Sequence, residues 1–343
     1  MNIRIKHIFY LLGLIVFGYL GFHYKLVGYG LAQAKGQFKI INEARPIADI
    51  LADPDFPDSL KQTLEWVEEI KKFSVDSLGL IPNNNYEKVF DQKGEEILWV
   101  VTACDPYKFE PLMWDFPIIG SFTYKGFFDY EKAIKLARQK QEDGYDVSLR
   151  PVSAWSTLGW FSDPILSNML ADGTGELANT IIHELTHGTI FVPDSMTFNE
   201  NLATFIGNRG AQEFLKQQYG ENSQEFIDYS NLLADRMQFS KYIIQSTIML
   251  DSMYNSFEDE PDSLKNIYKD EMIDRIISNL DTISFKVPNR YQGYFENYKP
   301  NNAYFVSFLN YRERQDELDI MLNQSMNNDL HAFVGFWKSE YMK

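Results

Sequence analysis

Cysteine is almost missing from this chain: Cys104 is the only one in 343 residues. No intrachain disulfide can form, so a disulfide-stapled fold is excluded, and cysteine usage says nothing about redox compartment. No cysteine near the N-terminus offers a lipobox, which excludes lipoprotein anchoring. Cys104 itself closes a predicted strand, Ile97 to Cys104, where a packed core thiol is expected rather than a nucleophile. Cationic residues are also scarce. Thirty-two Lys and Arg face 48 Asp and Glu, a formal net charge of −16. That balance speaks against a nucleic-acid partner, because phosphate binding needs concentrated Lys and Arg. It fits a solubilising surface, and it can also steer cationic peptides. Internal repeats, low-complexity tracts and Ser/Gly linkers are absent too. With 45% hydrophobic residues, the chain can bury one large core or two smaller ones.

Histidine is rare as well, with five in the chain, at positions 7, 23, 183, 187 and 331. Two of them fall in one pentapeptide, His183-Glu184-Leu185-Thr186-His187. This is an H-E-x-x-H pattern. In a chain so poor in histidine it arises by chance about once in a hundred sequences or fewer. On a helix, positions i and i+4 share a face, so the two imidazoles can hold one zinc ion. Glu184 lies close enough to act as base on a water there. The flanking pattern supports a helix. Leu177, Ile181, Ile182, Leu185 and Ile190 form an apolar stripe. Thr174 suits the cap and Glu176 the first turn. Gly188 loosens the end, and Pro193 follows as a stop.

Catalytic zinc takes three protein ligands plus water. No third histidine follows the motif closely, so the next acids are the candidates. Asp194 sits in a Pro-Asp-Ser turn, where an aspartate usually bonds its own backbone. Glu200 opens a second helical run, Phe198 to Ile206. From the first turn of a helix folded back on the His helix, it could reach the metal. The metal set expected from the sequence is therefore His183, His187 and Glu200, with one Zn2+ per chain.

H-E-x-x-H followed by Asn199-Glu200 on a downstream helix resembles the gluzincin metallopeptidases. The wider pattern is closer to a bacterial family of predicted zinc aminopeptidases. The stretches that carry this resemblance are Gly30 to Gln37, Glu43 to Ile47, Trp114 to Phe128, Ser156 to Pro164, His183 to His187, Phe198 to Glu200, and Asn301-Asn302-Ala303. They span most of the chain beyond the N-terminal segment. The resemblance implies a gluzincin-like zinc peptidase domain with a small sheet, acting on a peptide or protein substrate. The chain departs from thermolysin-like enzymes in two respects. The loop from His187 to Glu200 is shorter, so its turn must be tight. Thr204 also stands four residues after Glu200, where those enzymes carry an aspartate. A G-A-M-E-N amine-recognition motif is absent, which keeps an endopeptidase or dedicated processing protease as the alternative to an aminopeptidase. A metallohydrolase of another kind and a non-catalytic envelope-binding protein are the readings outside that class.

Arg4 and Lys6 precede an apolar run from Ile8 to Phe22. This reads as a signal anchor over residues 6–25, lodged in the lipid bilayer with its basic end inside. A bacterial inner-membrane protein with its catalytic part in the periplasm is then expected. Secretion after cleavage at Ala32-Gln33-Ala34 is the alternative. The domain expectation is a membrane segment over 1–30 and one catalytic domain over 31–343.

The remaining pattern predicts an α+β, predominantly helical fold. Helices are expected over 28–52, with a break at Arg45-Pro46, and at Leu60 to Phe73, 130–143, 222–256, 261–279, 301–323 and 328–338. Strands are expected over 96–104, 117–129 and Val147 to Trp155. A donor for developing negative charge is also expected. Tyr304, in the Asn-Asn-Ala stretch, is the first candidate, followed by Tyr298, Arg209 and His331. Asp163, Glu176 and Asp194 are candidates to hold a substrate ammonium. The strand from Val147, followed by Ser156 to Phe161, could line the substrate.

Overall fold

The computed structural model describes residues 18, 21–116, 120–152, 162–193, 195–257, 259–312 and 314–342. The chain divides into two units, 1–44 and 45–343. The first unit contains helix α1 (Tyr24–Glu43). The expected anchor over 6–25 lies almost wholly outside the described residues. Among those described, no helix is long and apolar enough to cross a membrane.

The second unit opens with β1 (Arg45–Pro46), α2 (Ile47–Leu51), α3 (Asp58–Leu64), α4 (Val67–Asp76) and β2 (Lys88–Phe90). It continues with β3 (Trp99–Cys104), β4 (Trp114–Phe116), β5 (Gly120–Phe122), β6 (Tyr124–Phe127), α5 (Tyr130–Glu142) and β7 (Asp146–Pro151). Next come β8 (Ile165–Leu166), a 3-10 turn (Ser167–Leu170), α6 (Thr174–Thr189), α7 (Met196–Tyr219) and α8 (Gln224–Asn255). The chain ends in α9 (Asp262–Leu280), α10 (Asn302–Arg312), α11 (Gln315–Ser325) and α12 (Leu330–Tyr341).

The architecture is α+β and predominantly helical, with three small sheets among the described residues: β1-β2-β8, β6-β3-β7 and the β4-β5 hairpin. Burial along β3 explains its position. Val100, Val101, Ala103 and Cys104 are buried, so both faces of the strand are covered. The register aligns Thr102 with Tyr124 and with Ser148, and Val100 with Gly126 and with Arg150. In-register residues share a sheet face. Cys104 lies on this face and packs with Ala303 and Val306 of α10. Trp99, on the other face, packs at a tilt against Tyr130 of α5, with ring centroids 4.6 Å apart. The Cys104 thiol is sealed and bonded to Lys108 O, and burial pushes its pKa up to about 12. That is a core thiol, as its strand context implied.

The helical half has its own core, in which Phe239, Ile243, Leu250, Ile273, Ile276, Leu280 and Phe305 are buried together. Two polar hubs lock it. Fully buried Asp235 accepts from Lys286 N, Val287 N and Arg290 Nε, which fixes the connector after α9. Buried Asn302 donates to Asp105 O and Pro106 O and accepts from Tyr254, while its own amide donates to Asp146. Asn301 donates to Val147 O. The Asn-Asn-Ala stretch therefore docks α10 on the sheet.

Three expectations change in detail. The helix expected over 301–323 is two helices, α10 and α11, separated before Gln315. The segment between them is tied to α7 by Arg314 N and Gln315 Nε2, both donating to Asn201. The helix from Leu60 to Phe73 is likewise divided, into α3 and α4. The strand expected over 147–155 is described as Asp146–Pro151, and residues 153–161 lie outside the described set.

Candidate active site

The H-E-x-x-H motif lies in α6. Leu177, Ala178, Ile181, Ile182 and Leu185 are each at most 1% exposed. Burying each of the four larger side chains contributes about 1.5–3 kcal/mol. That sum easily carries the opposite stripe, Asn179, His183 and His187, which repeats every four residues. The helix starts one residue earlier than its sequence implied. Gly173, at φ 85, is the cap, a left-handed conformation that glycine adopts without strain, and Thr174 is the first helical residue. Glu176 is in the first turn and makes a double hydrogen bond to Arg236 Nη1, both distances 2.8 Å.

The polar stripe faces α7, and the two helices form a tight hairpin. Asn199 closes the connection: its amide donates to Val192 O at 2.9 Å and its carbonyl accepts from Val192 N at 2.8 Å. This is how so short a loop is accommodated. Gly207 then lets the helices approach. A Cβ on Gly207 would lie 3.0 Å from Asn179 O and 3.3 Å from His183 Cβ. Asn179 donates to Asn208 Oδ1 at 2.6 Å and to Tyr229 Oη at 2.9 Å. α7 begins at Met196, so Glu200 stands in its second turn rather than its first. A merely dipole-matching role for Glu200 loses its basis there, because that effect fades beyond the first turn.

The hairpin gathers His183, His187 and Glu200. Their donor atoms all lie within 4.8 Å of one another. His183 Nε2 and His187 Nε2 are 3.1 Å apart. Glu200 Oε2 is 3.6 Å from His183 Nε2, and Oε1 is 3.4 Å from His187 Nε2. Ligands ~2.0–2.1 Å from a tetrahedral ion sit about 3.3 Å from one another. The two nitrogens and the carboxylate therefore have the chemistry and the spacing to hold zinc. Among the described residues this is the one group of three or more His, Cys, Asp or Glu with that geometry.

The electrostatics show how strongly the three are linked. Burial alone would push the Glu200 carboxyl up, but pairing with His183 and His187 outweighs it and holds the group well below the usual carboxylate range. Burial disfavours the His183 imidazolium, yet Glu200 and the charge of Glu184 raise its pKa above the ordinary 6.5. Glu184 is half-buried on the same helix. Two tyrosines lie in the field of these carboxylates. Burial pushes the Tyr86 phenol well up, and Glu184 and Asp163 add to that. Burial also raises Tyr124, with Glu200 and Glu184 adding and Arg150 opposing. Neither tyrosine was singled out by sequence. In a chain with 20 tyrosines, nothing local to residue 86 or 124 distinguishes them.

The other sequence candidates are spread out. Tyr304 sits among Phe295, Tyr298, Phe305 and Phe308, with its hydroxyl sealed from solvent. Burial among these rings raises its pKa far above the usual value. Burial also raises Tyr298, opposed by a hydrogen bond to Ser148. Arg209 pairs with Asp319. His331 Nδ1 is 3.0 Å from Ser77 O. Glu176 is committed to Arg236, whereas Asp163 is buried and its backbone oxygen accepts from Tyr86 N at 2.8 Å. Asp194 and Ser156 to Phe161 lie outside the described residues.

Fold and site together define an α+β helical protein with a metal-capable His-His-Glu cluster and the Glu184 carboxylate on the same helix as its two histidines. A family described as "Putative aminopeptidase" matches residues 28–339 of the 343. The chain belongs to this family, whose ascribed activity is that of a peptidase. No curated protein and no solved structure is similar enough to match it.

Proposed function

We propose that the protein is a zinc-dependent metallopeptidase of gluzincin type, acting as an aminopeptidase. The observation that carries this reading is the cluster of His183, His187 and Glu200 with Glu184 on the same helix. The two histidines and Glu200 would hold the ion. When bound, zinc supplies Lewis acidity, polarising a carbonyl and making a neighbouring water acidic at neutral pH. Glu184, one residue after the first ligand, takes the proton from the attacking water. It then delivers that proton to the leaving amine as the peptide C–N bond breaks. Glu200 and the imidazoles keep the site's charge balanced before substrate arrives. The expected anchor over 6–25 would tether this activity to a bacterial inner membrane, on its periplasmic side.

The test uses the full chain, as wild type and as Glu184→Gln. Each is loaded with zinc and incubated with a defined peptide mixture, half of it N-terminally acetylated, and the products are read by mass spectrometry. Stepwise loss from free N-termini alone is the expected result. It should fall by about 10²–10⁴-fold in Glu184→Gln, with the zinc content unchanged. Internal cuts in free and blocked peptides alike would make the protein an endopeptidase. Intact peptides after incubation with a folded, zinc-loaded wild type would overturn the broad peptidase reading.

A further inference from the structure

A cavity of about 200 Å³ lies between α7, α8 and α11, and its lining includes none of His183, His187 and Glu200. Its walls are of two kinds. Phe205 of α7 and Leu233, Ala234 and Met237 of α8 make it apolar on one side. Arg209 of α7 and Asp319 of α11 bring an ion pair to the other. Their side chains are 35% and 33% exposed, so the pair stands where the cavity meets solvent. An ion pair this exposed adds little to stability, and a gap between helices forfeits packing contacts. Helix packing alone therefore gives no reason to keep both.

Each charge is oriented by a second contact. The Arg209 guanidinium carbon lies 5.8 Å from the Phe205 ring centroid. Asn323 Nδ2 donates to Asp319 Oδ2 at 3.1 Å. The α11 wall is itself tied to α7, since Gln315 Nε2 donates to Asn201 O at 2.9 Å. Groups held in place before a ligand arrives lower the cost of binding it.

The charge pattern selects the ligand. A guanidinium carries five N–H donors in a fork, and Asp319 accepts from Nη2, so the fork keeps donors for a second carboxylate. Asp319 offers acceptors to an ammonium. A simple anion would meet the charge of Asp319, and a simple cation that of Arg209. A zwitterion satisfies both. The apolar wall suits an apolar side chain. Size narrows the choice further. Drug-sized ligands fill about 300–1,000 Å³, and an apolar cavity of about 150 Å³ binds benzene. The space here suits one amino acid rather than a peptide.

We propose that this cavity binds a free apolar α-amino acid. Its carboxylate pairs with Arg209, its ammonium with Asp319, and its side chain packs against Phe205, Leu233, Ala234 and Met237. The site adjoins the metal hairpin, because Asn208, which also lines the cavity, accepts from Asn179, one turn before His183. The pocket's chemistry stands without the peptidase reading; under that reading its ligand is a released product.

The experiment titrates L-leucine into the metal-free full chain by calorimetry, so that no ion can chelate the amino acid. Saturable binding at one per chain is expected. N-acetyl-L-leucine, which lacks the ammonium, and L-leucinamide, which lacks the carboxylate, should each bind about 10–100-fold more weakly. Arg209→Gln and Asp319→Asn should each weaken leucine binding by a similar factor. Ala234→Leu, which fills the cavity, should abolish binding with the melting temperature held. No saturable binding to folded wild type, or equal binding of the three ligands, overturns the proposal. So does undiminished binding to a folded Ala234→Leu or Arg209→Gln protein. Where a variant does not fold, the ligand series on wild type decides alone. A chain that binds leucine but cleaves no peptide loses the peptidase reading and keeps this site. One that cleaves peptides and ignores leucine loses the site alone.

Discussion

Gly207→Ala and Gly188→Ala add the same methyl to two helices of the same hairpin, and the structure assigns them opposite outcomes. At Gly207 the new Cβ would stand 3.0 Å from Asn179 O, 3.1 Å from Asn179 Oδ1 and 3.3 Å from His183 Cβ. The nearest of these is backbone of α6, and another is the root of the His183 side chain, which is proposed to hold the metal. Neither can rotate away. Alanine in a helix interior gains about 1 kcal/mol over glycine. Overpacking a contact this tight costs about 1–3 kcal/mol. The net result is a destabilisation of up to about 2 kcal/mol. The strain also falls on the site, because relief must move His183 by a few tenths of an ångström. Metal sites tolerate about ±0.2 Å in ligand distance, so zinc affinity should fall by roughly 10–100-fold. At Gly188 the new methyl meets Asn83 Nδ2 at 3.5 Å, an ordinary contact. There the helix gain stands, at about 0.5–1 kcal/mol. Urea denaturation of the metal-free proteins, with zinc competition against a chromophoric chelator, reads both effects. If Gly207→Ala stabilises as much as Gly188→Ala and binds zinc like wild type, the close approach of the two helices is refuted.

Metal-free stability should peak in mildly acidic solution as far as this cluster is concerned. His183, raised above its ordinary value, contributes fully below about pH 6.5, and that contribution is lost as pH rises through its folded value. Glu200, held well below the carboxylate range, contributes above about pH 4.3 and loses that contribution as pH falls through its folded value. Zinc must displace a proton from His183, so the rise in melting temperature on adding zinc should grow from pH 5.5 to pH 8, about a unit either side of the ordinary His value. A zinc-induced rise that is flat across this range would contradict the linkage. Separately, Asp235→Ala should cost about 3–5 kcal/mol in urea unfolding, because it strands Arg290 and the backbone amides of Lys286 and Val287. A loss under 1 kcal/mol would show that the connector after α9 is held by other contacts.

Much of the local structure was legible in the sequence, for a physical reason. Apolar residues at helical spacing from Leu177 to Leu185 are buried almost completely, and the break at Arg45-Pro46 separates two helices as proline's restriction on its predecessor requires. Short elements escaped. β1, β2 and β8 are two or three residues each, too brief for any periodicity to show, and they exist because distant segments pair. The division between α10 and α11 also escaped, because it is held by Asn201, more than a hundred positions away.

The sequence by itself determined the candidate ligand types, their i, i+4 spacing and the carboxylate between them, since helical geometry alone sets a side chain's direction relative to its neighbours four residues on. Only the tertiary structure decided the rest. That Glu200 faces both histidines depends on the close approach at Gly207 and the Asn199 clamp, which set how α7 folds back on α6. That Tyr304 is sealed while Tyr86 and Tyr124 lie in the field of the site carboxylates depends on which chain segments meet in space. A tyrosine's role follows from what surrounds its hydroxyl, and those surroundings come from residues far apart in the chain.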